Sequence, residues 1–152
     1  MLRILIALFV VVAAASASAA PSQYGTAEEA KAMLDRAVAA VKQDKAKALD
    51  MFNKGEGGFK DRDLYVFCAS ASDGILTAHP TMKGQQLREI FGKKGYPLRQ
   101  EIMEKATEGE IKEVTYWWPR PGSDKPLQKT SFYRKVGDQI CGLGTTRNKC
   151  HR

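Results

Sequence analysis

Five runs of residues in this chain read as β-strands, and most are joined by turns too tight for anything but an antiparallel partner. "LYVFCAS" (Leu64 to Ser70) is rich in aromatic and β-branched residues. Asp73-Gly74 follows as a hairpin signal, and "ILTAHP" is the second run, ended by Pro80. Three more lie toward the C-terminus: Ile111 to Trp118, Gln128 to Val136, and about Asp138 to Thr145. "PRPGSDKP" separates the first two of these and carries too many prolines to be a strand. Gly137-Asp138 makes the last hairpin. A single sheet cannot bury itself, so both faces need cover.

Helical periodicity supplies that cover. Thr26 and Glu29 have the spacing of a capping box, and Leu34, Val38 and Val41 recur on one face. A helix is predicted from about Ala27 to Val41, with a break near Gln43-Asp44 and a further turn or two through Phe52. Gly55 to Asp63 reads as loop. Between the second and third strands, Leu87, Ile90 and Phe91 suggest a short helix, and Leu98 to Ala106 another, with Gly92, Gly95 and Pro97 as breakers. The predicted class is α+β: a long N-terminal helix on one face of a five-stranded antiparallel sheet, and short helices over the other. The short helices would leave a hollow beneath them, which is where ligands commonly bind.

The N-terminus is of a different kind. Arg3 precedes "ILIALFVVVAAA" and then "SASAA". A basic start, an apolar run of about a dozen residues and a small-residue exit predict a secretory signal peptide over residues 1–19. The run falls short of the roughly 20 apolar residues of a membrane span. Residues 20–152 are then one exported domain, periplasmic or secreted. The formal net charge is +7, but lysine and arginine are scattered rather than clustered, which argues against a nucleic-acid face.

Export into an oxidising compartment makes one disulfide among Cys68, Cys141 and Cys150 reasonable and leaves one thiol over. "NKCHR" lacks the first cysteine of a haem-attachment motif, because Arg147 occupies its place. Cys150 and His151 alone do not make a metal site, and no cofactor is expected. Ser131 has no evident histidine partner, and Cys68 and Cys141 lie in apolar settings where a thiol is inert, so no enzyme is expected.

Four segments, in order, resemble the Cache domains of bacterial sensors, in their single, PAS-like extracellular form. "AEEAKAMLDRAVAAVKQDKAKALDMFN" looks like the family's leading helix. "DLYVFCASASDGILTAHP" is similar to its first hairpin. "YWWPRPGSDKPLQKTSFYRKV" resembles its Y-x-W-P-x-P-G-S-x-K-P segment, and "GDQICGLGT" its closing strand with G-x-G. The chain departs from the pattern at Gln139, and at Thr145 and Thr146 where an aliphatic-aromatic pair is usual. It ends at Arg152, which implies a free-standing form without an output module. The resemblance implies small organic acids as ligands, and a role in signal perception with a separate membrane sensor as partner. The PAS-like strand order would make the first and last strands neighbours, so that Cys68 and Cys141 face each other as a buried pair or a disulfide.

Strand alternation puts Tyr116 and Trp118 on one face, and Lys129, Ser131 and Tyr133 on one face of the next strand. A lysine deep in an aromatic wall is costly unless an anion meets it. Lys129 beside Tyr116 and Trp118 would therefore suit a small carboxylate, with Tyr133, His79 and Arg99 as further contacts. Plainer readings stand beside each: Trp117 or Trp118 as core packing, Lys129 or Arg99 facing water, His79 as a hydrogen-bonded structural residue. For the whole chain the other reading is an interaction protein, possible as a homodimer through the long helix, with the pocket filled by its own side chains.

Overall fold

The computed structural model describes residues 23–87, 96–119 and 122–146. Helix α1 runs Ala27–Gln43. Its N-terminus is a complete capping box: Thr26 Oγ1 accepts from the Glu29 amide, and Glu29 Oε2 accepts from the Thr26 amide. Asp44 interrupts the helix and restarts it, since its carboxylate accepts from the Lys47 amide at 3.0 Å and caps α2, Lys45–Lys54. Gly55, at φ 70°, ends α2 in the left-handed conformation.

Six strands follow: β1 Lys60–Asp61, β2 Leu64–Ser70, β3 Leu76–Ala78, β4 Lys112–Pro119, β5 Pro126–Val136 and β6 Gln139–Thr146. Helix α3, Leu98–Lys105, lies between β3 and β4. All pairings are antiparallel in the order β1-β2-β6-β5-β4, and β3 also pairs with β2. The five expected strands are present, and the two-residue β1 is an addition inside the segment read as loop. Lys60 and Asp61 are exposed and too short to show any alternation, so nothing in their residue types marks them. Pro126 and Pro119 pair at the outer end of the β4–β5 hairpin, where the sheet edge tolerates a missing donor. Of the two short helices expected between the second and third strands, α3 is present; the one expected around Ile90 and Phe91 falls outside the described residues, as do residues 1–22.

Two cores lie on opposite faces of the sheet. Leu34, Val38 and Phe52 from the helices pack against Val66, Phe132 and Leu143 on one face. Phe67, Leu76, Tyr133 and Ile140 pack against Leu98 and Ile102 of α3 on the other. Cys68 and Cys141 are directly opposed across β2 and β6, with Cα atoms 4.1 Å apart, and are joined as a disulfide in the first core. Their placement follows from the first and last long strands being neighbours, a long-range pairing with a sequence separation of 73.

Candidate functional site

The α3 face of the sheet is not filled throughout. A chamber of about 30 Å³ remains, lined by the polar side chains of Lys129, Tyr65, Tyr116 and His79 and by apolar ones that include Phe67, Leu76, Leu98 and Ile102. That is room for one or two waters, enough for a small polar group. Tyr65, His79, Met82 and Trp118 also border an outer hollow of about 350 Å³, together with Lys60, Thr81 and Pro119. The chamber and the hollow therefore share a wall. Among their described lining residues are two lysines and a histidine, and no aspartate or glutamate.

Lys129 sets the electrostatics. It is 3 % exposed, and among the described residues no carboxylate forms an ion pair with it. Its ammonium donates to Tyr65 Oη at 3.1 Å and lies 4.4 Å from the centre of that ring. Burial works to lower its pKa. The phenols of Tyr116 and Tyr65, the hydrogen bond to Tyr65 and the carboxylate of Asp63 oppose that, and hold it above the ordinary lysine value. Lys129 is thus a buried cation with at most one of its three donors used by the described residues.

Tyr116 is directly opposite Lys129 in the β4–β5 pairing. Its hydroxyl is 2.9 Å from Ser131 Oγ, and burial pushes its pKa up, so it remains a neutral phenol. Trp118, two residues along the same face, meets Tyr116 edge to face at 6.4 Å.

His79 is held in one tautomer. Its Nδ1 accepts from the amides of Thr81 and Met82, both at 3.1 Å, so in the neutral ring the proton is on Nε2. Its ring stacks edge-on against Tyr65 at 5.1 Å. Burial, and then the Lys129 charge, lower its pKa to about 4. Asn53 of α2 fixes the backbone here. It accepts from the His79 amide at 3.0 Å and donates to Thr77 O at 3.2 Å and Leu49 O at 2.8 Å.

The structure brings Tyr116, Trp118, Lys129 and His79 around one chamber, and does not bring Tyr133 or Arg99 to either cavity. Tyr133 shares their sheet face but is fully buried, and its hydroxyl donates to Glu101 O of α3 at 3.2 Å. Burial pushes that phenol up to about 12. Arg99 is on α3 beside the Asp73-Gly74 turn: a Cβ built on Gly74 would lie 3.4 Å from Arg99 Nε. Tyr65, Phe67 and Asn53 are the residues the sequence reading passed over. Tyr65 and Phe67 alternate with Leu64 and Val66, so strand parity carried the signal. Asn53 sits in a helical run with nothing to distinguish it.

The sheet is thus covered by the long helix α1 on one face and holds the chamber on the other. The model of the Cache domain family matches residues 30–139, and the chain belongs to that family. Three solved structures share the fold. A methyl-accepting chemotaxis protein from Vibrio parahaemolyticus matches at TM-score 0.63 and 20 % identity, over 78 % of this chain and 86 % of its own. A Cache chemosensory domain described for its carboxylic acid recognition matches at 0.62 and 19 %, over 80 % and 92 %. The periplasmic sensor domain of a chemotaxis protein matches at 0.57 and 23 %, over 80 % and 90 %. No curated protein matches the chain at a significant level.

Proposed function

We propose that this chain is an exported sensory Cache domain that binds a short aliphatic carboxylate at Lys129 and reports its occupancy to a separate membrane partner. The observation that carries this is the buried Lys129 ammonium, which has no carboxylate partner among the described residues. An incoming anion would complete it. Tyr116 and the His79 Nε2–H would supply neutral donors, and the apolar residues that line the chamber and the adjoining hollow would meet a short carbon tail. The lack of an acidic group among the described lining residues argues against amino acids and amines, whose ammonium would meet two lysines.

Export rests on residues 1–19 acting as a cleaved signal peptide. Among the described residues no helix is long and apolar enough to cross a membrane. The match to a carboxylic acid-recognising domain and to chemotaxis sensor domains supports both ligand class and role. Binding would act by shifting the population in which α3 closes on the sheet.

A thermal shift scan of the mature chain against short carboxylates, amino acids, purines and amines tests this. A ligand at about 100 times its dissociation constant should stabilise by about 2.7 kcal/mol, a rise of several degrees. Hits confined to short carboxylates are expected; a hit among amines alone would overturn the ligand class. The narrowness of the inner chamber favours one other reading, an interaction protein whose pocket its own side chains fill. A flat panel after refolding, with a concentration-dependent dimer, would establish that reading instead.

A further inference from the structure

We infer that Gly144 is the positioning residue of the anion site: its missing side chain is what lets Lys129 lie across β6. This rests on the reading of Lys129 as the anion-binding group. Lys129 is on β5 and Tyr65 on β2, and β6 runs between them. The lysine must therefore cross β6 to reach the tyrosine. A Cβ built on Gly144 would lie 2.1 Å from Lys129 Cε and 3.2 Å from Cδ. That is far inside van der Waals contact, so alanine at this position and the observed lysine path exclude each other.

Backbone freedom does not account for this glycine. Gly144 is not among the residues at positive φ, and it sits inside a regular antiparallel pairing opposite Ser131. A glycine in a strand interior weakens the strand unless something needs the space. Here the lysine stem occupies it. The other close atom is Ser131 Oγ at 2.6 Å; it can rotate away only by giving up its contact with the Tyr116 hydroxyl, so a part of the cost of a side chain here is independent of Lys129. Gly142, two residues earlier on the same face, is a different case. Its Cβ would meet the Phe132 backbone oxygen at 2.8 Å and Phe67 Cζ at 2.7 Å, so it serves packing rather than the lysine.

The test is a double-mutant cycle of the mature chain with a ligand arm. Melting temperatures are measured for Gly144→Ala, Lys129→Ala and the double variant, and for Gly142→Ala with and without Lys129→Ala. The expected result is that Gly144→Ala lowers the melting temperature by several degrees, and by clearly less once Lys129 is truncated. Gly142→Ala should cost the same in both backgrounds. If Gly144→Ala fails to fold, recovery of a cooperative melt in the double variant supports the inference, and no recovery overturns it. Equal costs for Gly144→Ala in both backgrounds also overturn it. In the ligand arm, sodium acetate and sodium propionate should stabilise the wild type and not Gly144→Ala; a retained response in that variant overturns the positioning role. If the wild type ignores both acids, the carboxylate reading fails. The cycle then still decides the role of Gly144 without it.

Discussion

Lys129 Nζ stands 3.1 Å from Tyr65 Oη although a whole strand separates the two residues in the sheet. The contact joins the β5 edge of the chamber to its β2 edge. It also means that the cation is held by a phenol oxygen rather than by a carboxylate, the stronger partner.

Replacing the cation should therefore separate stability from binding. Lys129→Met keeps the stem and removes a buried charge without a carboxylate partner among the described residues. Because the surroundings hold the ammonium above the ordinary lysine value, denaturant unfolding is expected to show a small loss of stability rather than a gain. The same variant should lose the thermal response to short carboxylates. A large loss of stability would mean that Lys129 is structural.

The His79 ring gives the fold an acid limit. Its folded pKa of about 4 is below the ordinary 6.5, because burial and then Lys129 disfavour the imidazolium. Between pH 6.5 and 4 the unfolded chain takes up a proton that the folded one refuses, so stability falls as pH falls through that window. Allowing for the partial exposure of the ring, the loss is about 2 kcal/mol by pH 4. His79→Gln should flatten this part of the stability–pH curve. An NMR titration of His79 should also move up toward 6.5 in Lys129→Met.

The Cys68–Cys141 disulfide closes a long loop, with a sequence separation of 73. Chain-entropy reasoning assigns it about 4 kcal/mol. Cys68→Ala with Cys141→Ala should lower the unfolding free energy by that order. Because both sulfurs lie in the α1 core, away from the chamber, carboxylate affinity measured well below the melting temperature should not change.

Tyr133 ties α3 to the sheet through its hydroxyl, which donates to Glu101 O. Tyr133→Phe removes that bond and keeps the ring. A cost of about 1 kcal/mol is expected in chemical denaturation, with faster hydrogen exchange in α3 than in α1.

The elements that sequence made legible are those whose signals are local. The capping box at Thr26 and Glu29, the break at Asp44 and the hairpin glycines are each read from a few adjacent residues. Strand alternation grouped Tyr116 with Trp118, and Lys129 with Ser131 and Tyr133; the β4–β5 register, which sets Tyr116 opposite Lys129, brings the two groups together at the chamber. What local pattern could not supply is what crosses the sheet. Tyr65 meets Lys129 only because β2 and β6 are neighbours, and Gly144 matters only because a side chain from β5 lies over it. Arg99 has the right chemistry on the right helix, but a residue's azimuth on a helix of eight residues follows from how that helix packs. Periodicity over so short a span fixes it poorly.

Everything proposed for the chamber turns on Lys129 as its anion-binding group. That role is tested by calorimetric titration of acetate and propionate into residues 20–152 of the wild type and of Lys129→Met. Saturable binding is expected for the wild type, with a loss of at least tenfold in affinity in the variant, equivalent to about 1.4 kcal/mol. Equal affinity in both proteins would contradict it.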